Sequence, residues 1–241
     1  LHYPLRRQRQ MCIRDRLYLV RHGKTMFNTI GRAQGWSDTP LTAEGELGIH
    51  ELGIGLRESG LQFDRAYSSD SGRTIQTMGI ILEELGLQGK IPYRMDKRIR
   101  EWCFGSFDGA YDGDLFMGLI PRIFNVDHVH QLSYAELAEG LVEVDTAGWA
   151  EGWEKLSGRI KEGFEAIAKE MEEQGGGNAL VVSHGMTIGT IVYLINGMHP
   201  HGLDNGSVTI LEYEDGQFSV EVVGDRSYRE LGREKMLETN S

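Results

Sequence analysis

Two short apolar runs, each leading into a His-Gly pair, constrain the fold of this chain more than any other feature. The first is LYLV at 17–20, which leads into Arg21 and His22, and the second is ALVV at 179–182, which leads through a serine into His184. Short apolar runs of this kind are typical of buried strands. Because open α/β sheets bind ligands at the carboxyl ends of their strands, we expect both histidines at one functional edge.

The rest of the chain alternates between helical and extended patterns. Helices are predicted at 41–60, where Thr42 is the N-cap, and at 71–86, 148–177 and 186–197. Further strands are predicted at 63–69, at 91–99 and in a hairpin at 207–224. Residues 108–146 are predicted to be irregular, with one or two short helices. No linker or repeat interrupts the series, which predicts one α/β domain with a mainly parallel sheet and helices on both faces.

Charge and cysteine content exclude several classes of function. The 36 acidic residues exceed the 25 basic ones, giving a net charge of -11, which argues against binding to nucleic acid or anionic membranes. The apolar stretch at 188–195 is far shorter than the roughly 20 residues of a membrane span. Cys12 and Cys103 suit neither a disulfide framework nor a metal site, so a reducing cytoplasm is the expected compartment. We expect no cofactor, and the oligomeric state stays open.

The first sixteen residues differ in character from the rest. They hold five arginines and lack the apolar region that a signal peptide needs. Residues 6–16, RRQRQMCIRDR, match the translation of a common transposon-end sequencing adapter. We therefore predict an extraneous tail at 1–16 and a single domain at 17–241. The alternative is a basic arm that binds an acidic partner.

A third cationic residue is predicted at the same edge of the sheet. The strand at 63–69 leads into DSGRT, which places Arg73 in the first turn of the next helix. Guanidinium groups match phosphate oxygens in pairs, and they keep a neighbouring imidazole neutral and nucleophilic. A second histidine can donate a hydrogen bond to a phosphoryl oxygen as charge develops. The alternatives are an ordinary partly buried role for each histidine and a surface ion pair for Arg73.

Five segments in order resemble the histidine phosphatase superfamily, in the branch with cofactor-dependent phosphoglycerate mutases and fructose-2,6-bisphosphatases. They are LYLVRHGKTMFN, GRAQGWSDTPLTAEG, AYSSDSGRTIQT, RIREWCFGSFDG and ALVVSHG. The resemblance runs from 17 to about 224 and implies a phosphoglycerate mutase-like, three-layer α/β/α fold. It also implies catalytic and substrate-binding roles for a defined set of residues. The set comprises His22 as the phosphorylated nucleophile, a phosphate pocket of Arg21, Arg73 and His184, donors from Asn28 and the Gln34–Gly35 turn, and Glu101 as proton donor to the leaving group.

The neighbours of Glu101 agree with a proton donor. Trp102, Phe104 and Phe107 would exclude water from the carboxyl and favour its protonated form, although these rings could equally be ordinary core. Lys24 stands where the family usually has Glu or Gln. It would either favour more anionic substrates or be a solvated surface residue.

The expected function is hydrolysis of a small phosphomonoester, without a metal, through a phosphohistidine. The segment after Glu101 lacks the Arg-Arg run and the Pro-rich stretch that mutases use to hold phosphoglycerate, which disfavours a mutase. The mutase remains the alternative enzyme, and a noncatalytic phosphate-binding scaffold is the alternative outside enzymology. A Rossmann nucleotide-binding module is disfavoured because no G-x-G-x-x-G follows LYLV.

Overall fold

A single six-stranded sheet organises the computed structural model, which describes residues 15–200 and 202–239. The strands lie in the order β3-β2-β4-β1-β5-β6. Their bounds are β1 Asp15–Arg21, β2 Arg65–Ser68, β3 Tyr93–Met95, β4 Asn178–Ser183, β5 Val208–Glu214 and β6 Gln217–Asp225. Strands β1 to β4 are mutually parallel, whereas β5 and β6 are added antiparallel. The prediction of a mainly parallel sheet is confirmed.

Eight α-helices accompany the sheet within the described residues. They are α1 Met26–Thr29, α2 Ala43–Glu58, α3 Gly72–Glu84, α4 Ile120–Phe124, α5 Tyr134–Val144, α6 Trp153–Glu173, α7 Gly185–Asn196 and α8 Ser227–Thr239. The Thr42 side chain accepts from the Gly45 amide, so the predicted cap of α2 is confirmed. Across the described part of the chain, no helix is long and apolar enough to cross a membrane.

Strand β1 shows why the helices cover both faces. Leu17 and Leu19 enter one core with α6 and α7, while Tyr18 and Val20 enter a second core with α2 and α3. All four side chains are at most 2% exposed. A strand buried on both faces reads as a continuous apolar run, and the resulting arrangement is the three-layer α/β/α fold.

The segment at 108–146 is more helical than predicted. A π-helical turn at Gly113–Leu119 runs directly into α4, and α5 follows behind a capping box formed by Ser133 and Glu136. Leu137 and Leu141 of α5 are buried in the core shared with α6. The segment therefore folds against the sheet domain as a helical cap.

Most of the predicted tail, 1–14, lies outside the described residues. Asp15 and Arg16 belong to β1, where Arg16 pairs with Glu212 of β5 at 2.9 Å. The boundary at residue 17 and the extraneous origin of 1–16 stay predictions.

Candidate active site

His22 lies at the carboxyl end of β1, where its backbone N–H donates to Ser183 O of β4 at 3.1 Å. Its ring Nδ1 is 2.8 Å from Gly23 O. A carbonyl oxygen only accepts, so Nδ1 carries the hydrogen and Nε2 presents a lone pair. Burial, then the charges of Arg73 and Arg21, hold the pKa of His22 well below its ordinary value. The ring is thus neutral with its lone pair on Nε2, the state that a nucleophile requires.

His184, at the end of β4, lies beside His22 with the two ring centroids 5.3 Å apart. Its Nδ1 is 3.0 Å from Arg73 Nη2 and its Nε2 is 2.7 Å from Ser69 Oγ. Since the guanidinium can only donate, Nδ1 accepts and Nε2–H donates to Ser69. Burial and the charge of Arg73 hold the pKa of His184 well below its ordinary value. To donate to a phosphoryl oxygen, this ring must either turn its Nε2–H from Ser69 to the ligand or carry a hydrogen on Nδ1 in place of the contact with Arg73.

Arg73 is fully buried at the start of α3. Its Nη1 donates to Ser37 O and to Asp38 Oδ1, both at 2.9 Å, and its Nη2 donates to Gly35 O at 2.8 Å. The side chain therefore fixes the turn at 35–38 in addition to its contact with His184. Arg73 does pair with a carboxylate, as the alternative had it, but from a fully buried position; the Asp38 side chain is 37% exposed.

Two buried guanidinium nitrogens around His22 have no hydrogen-bond partner. They are Nε of Arg21 and Nε of Arg73; the remaining such side-chain atom among the described residues, Nε of Arg65, lies at the opposite end of β2. Arg21 is anchored otherwise by a hydrogen bond from Nη1 to Leu203 O. Leaving a buried charged donor unpaired is costly, so an anion that accepts from both arginines would be strongly favoured here.

Glu101 is 9% exposed, and its carboxylate lies at the amino end of α7. Oε1 accepts from the backbone N–H of Trp102 and of Thr187, both at 3.0 Å, and from the Thr187 hydroxyl at 3.1 Å. Oε2 accepts from the Met186 N–H alone, at 3.2 Å. Oε2 is therefore the oxygen with room for a proton or a substrate contact.

The aromatic neighbours of Glu101 in the sequence pack into the main core. The Trp102 ring packs edge-on against Tyr134 and donates to Thr190 Oγ1, and Phe104 packs against Phe116. These rings belong to the main core, as does the partly buried Phe107. Their positions agree with the alternative of ordinary core residues, and the hydrogen-bond donors to the Glu101 carboxylate are amides and a hydroxyl.

The remaining predicted substrate-binding residues lie between β1 and α2, with Asn28 in the short helix α1 and Gln34 and Gly35 in the loop that follows it. Asn28 Oδ1 accepts from Asn205 Nδ2 at 3.2 Å, and Asn205 Nδ2 also donates to His22 O at 2.9 Å. The Gln34 amide is 7% exposed; its oxygen accepts from Thr25 Oγ1 at 2.7 Å, which ties it into the loop. Gly35 has a φ of +51°, and a Cβ there would lie 1.8 Å from Asp108 Oδ1, so only glycine fits.

Several residues of the site were not predicted from the sequence. Asp38, Ser69 and Asn205 contact Arg73, His184 and His22 respectively. Ser69 and Asn205 are polar residues close to strand ends on the functional edge, a signal that could have found them. Lys24 pairs with exposed Glu44 at 2.8 Å, which agrees with a surface residue.

Fold and paired histidines place the chain among the phosphoglycerate mutase-like α/β/α proteins. The family model of the histidine phosphatase superfamily (branch 1) matches residues 17–226, and the chain belongs to this superfamily. The chain is 31% identical over 224 residues to the probable phosphoglycerate mutase GpmB of Salmonella choleraesuis, covering 88% of this chain and 94% of the relative.

Solved structures agree with this assignment. A phosphoglycerate mutase from Bacillus anthracis superposes with a TM-score of 0.86 at 37% identity, covering 91% of this chain and 97% of that one. The α-ribazole phosphatase from Shigella flexneri shares the fold, with a TM-score of 0.65 at 24% identity over 88% of this chain and 96% of its own.

Proposed function

We propose that this protein is a metal-independent phosphomonoesterase that works through a phosphohistidine on His22. The observation that carries the proposal is the neutral ring of buried His22, whose Nε2 carries the lone pair, together with the unpartnered Nε donors of Arg21 and Arg73, the two arginines whose charges act on this ring. A phosphoryl group accepts hydrogen bonds at its oxygens and is attacked at phosphorus. It therefore suits both features of the site at once.

The reaction takes two steps. In the first, the Nε2 lone pair attacks phosphorus, the bond from phosphorus to the ester oxygen breaks, and Glu101 gives its proton to the departing oxygen. In the second, water attacks phosphorus, the phosphorus–nitrogen bond breaks, and the Glu101 carboxylate takes a proton from the water. Arg21 and Arg73 stabilise the charge on the phosphoryl oxygens throughout.

Trapping of the intermediate tests this proposal. We expect acid-labile, alkali-stable phosphate on His22 when the wild-type protein is quenched in alkali during turnover of p-nitrophenyl phosphate, with and without EDTA. His22→Ala should lose both label and turnover because no other group carries the phosphoryl. The matched control is His50→Ala, which removes a partly exposed histidine paired with Glu84 on the surface. Label on a serine or an aspartate, or activity restored only by a divalent metal, would contradict the proposal.

A phosphoglycerate mutase is the second candidate, because relatives at 37% and 31% identity carry that name. A mutase returns the phosphoryl from His22 to the substrate instead of to water. Interconversion of phosphoglycerates that 2,3-bisphosphoglycerate stimulates, at a rate above that of phosphate release, would favour this candidate.

A further inference from the structure

We propose that Arg159 of α6 is a positioning residue, which fixes the main chain that carries Glu101 and so aims its carboxyl at the leaving oxygen. This inference rests on the proposed function. Arg159 lies far from Glu101 in sequence, and none of the family-like segments includes it.

The guanidinium of Arg159 binds three backbone carbonyls on the segment that ends at the proton donor. Nη1 donates to Arg98 O at 2.8 Å and to Arg100 O at 3.1 Å, and Nη2 donates to Glu101 O at 3.2 Å. Strand β3 ends at Met95, before these residues, and none of the strands that the structure describes pairs with them. Side chains therefore supply the donors that a sheet ladder would otherwise supply: Arg159 reaches all three carbonyls, and Thr187 Oγ1 also donates to Arg100 O at 2.7 Å.

Glu151 holds Arg159 in place from the other side. Its carboxylate accepts from Arg159 Nε at 3.1 Å and from Nη2 at 2.6 Å. The two side chains are only 2% and 14% exposed, respectively. Together with the three carbonyls, this pair uses all five N–H donors of the guanidinium. Lysine has three donors and no planar fork, so it cannot reproduce the arrangement.

Glu101 is consequently held at both ends. Its carbonyl oxygen accepts from Arg159 and, at 2.9 Å, from the indole N–H of Trp36, while its carboxylate is held by the amino end of α7. Trp36 follows Gly35, whose carbonyl binds Arg73. The proton donor and the phosphate-binding arginine thus share one connected frame. A displacement of about 1 Å in such a frame can slow a reaction by about 10²-fold.

The two possible roles of Arg159, positioning Glu101 or only supporting the packing, predict different rates of His22 phosphorylation from alkyl and aryl phosphates. An alkoxide leaving group needs a proton, whereas p-nitrophenolate can depart as the anion. If Arg159 aims the donor, its loss should slow phosphorylation of His22 by an alkyl phosphate and leave phosphorylation by p-nitrophenyl phosphate nearly unchanged. If Arg159 only supports packing, both reactions should change by the same factor.

The experiment measures single-turnover labelling of His22 from glycerol 2-phosphate and from p-nitrophenyl phosphate. The variants are Arg159→Gln and Arg159→Lys, the second of which keeps a positive charge beside buried Glu151. Glu101→Gln serves as the benchmark for full loss of the donor. The matched control is Glu162→Gln, which removes the exposed pair of α6 with Arg98 and leaves the Glu101 carbonyl untouched.

In a folded Arg159 variant we expect phosphorylation of His22 by the alkyl phosphate to slow by about 10- to 100-fold. Phosphorylation by the aryl phosphate should slow less than about threefold, so the variant should share the substrate dependence of Glu101→Gln. Equal losses from both substrates, no loss, or failure of both variants to fold would overturn the inference. Absence of phosphohistidine in the wild-type protein would overturn the proposed function itself, so the two failures are distinguishable.

Discussion

At the scale of a single residue, Arg73 combines satisfied hydrogen bonds with one buried donor that has no partner. Its Nη atoms hold the turn at 35–38 and His184, while its buried Nε has no partner. A lysine ammonium is a single point of charge and cannot fix the turn and meet a phosphoryl oxygen together. Arg73→Lys should therefore lower kcat by about 10²- to 10³-fold, the usual cost of one lost transition-state donor.

Steady-state kinetics with p-nitrophenyl phosphate check this prediction. The control is Arg94→Lys, which alters an exposed ion pair with Glu170 and should keep the wild-type kcat. Kinetics of Arg73→Lys within twofold of wild type would place the residue outside the catalytic pocket.

From the sequence, the residues of the site that could be predicted are those that directly follow a predicted strand. His22 and His184 were predicted because each follows a buried strand, and Arg73 because a strand leads into its helix. The partner Asp38 could not be predicted, because it lies 35 positions from Arg73 and the two meet only when the chain folds. Glu151 is only eight positions from Arg159 but lies before the start of α6, where helical spacing does not predict a pair. Most donors to the Glu101 carboxylate were not predicted either: apart from the neighbouring Trp102 N–H they come from α7, 85 and 86 positions along the chain.

At the scale of elements, the glycines of α2 allow close packing against α8. A Cβ at Gly55 would lie 1.7 Å from Tyr228 O, and one at Gly232 would lie 1.7 Å from Glu51 O. Buried Glu51 then accepts from Arg229 and Arg233 of α8, at 2.8 and 2.9 Å. The two helices approach at the backbone and are joined by ion pairs at the flank.

Gly55→Ala should therefore destabilise the protein, because the added methyl displaces backbone atoms of α8. We expect a loss of about 1–3 kcal/mol in the free energy of unfolding, the usual cost of overpacking. Gly158→Ala in α6 is the matched control, since a Cβ there meets nothing within 4 Å. It should stabilise by up to about 1 kcal/mol through helix propensity. Urea unfolding compares the two, and a Gly55→Ala variant as stable as the control would contradict this packing.

Helix α8 was not predicted from the sequence. SYRELGREKMLET has few apolar residues, and the structure buries only its glycine. Its position depends on backbone contact and on charge pairs with α2, neither of which produces an apolar periodicity. The glycines in α2 counted against a helix by propensity, yet they are what the neighbouring helix requires.

At the scale of the whole molecule, the two buried histidines make stability depend on pH. Their folded-state pKa values lie well below the ordinary 6.5, so below pH 6.5 the unfolded chain binds protons that the folded protein does not. Stability should accordingly fall as pH drops from 6.5 to 5, by about 1.4 kcal/mol per pH unit for each histidine. Burial raises the pKa of Asp108 and Asp112, whose protonation in the folded state acts in the opposite direction.

Comparing the wild-type protein with His22→Gln isolates the contribution of His22 to the pH dependence of stability. His22→Gln keeps a neutral polar group and leaves the carboxyl groups as they are. Its free energy of unfolding, measured in urea between pH 5 and 7 without phosphate, should depend less on pH than that of the wild type by about 1.4 kcal/mol per unit. Equal slopes would mean that the folded protein accepts a proton on His22.

The overall architecture was predictable because its signal is spread over the whole chain. Strands that are apolar on both faces, alternating with helices, specify a parallel sheet covered on both sides. The hairpin between β5 and β6 was also predicted, because an Asp-Gly pair joins the two strands. In the structure Asp215 and Gly216 both have the positive φ that such turns need. The helical cap at 108–146 was underpredicted, because its short helices gain stability from packing on α6 more than from local pattern.

The bond between His22 Nδ1 and Gly23 O also determines a regiochemistry. A histidine can be phosphorylated at either ring nitrogen, and the two products differ in chemical stability and in NMR couplings. With Nδ1 held by the carbonyl at 2.8 Å, a phosphoryl group can be taken only at Nε2, so any phosphoenzyme must be the τ isomer. The π isomer would require the ring to break away from the backbone and turn over. In ¹⁵N-labelled phosphoenzyme, an NMR coupling between phosphorus and Nε2 would therefore show that the ring keeps this orientation when it takes the phosphoryl group.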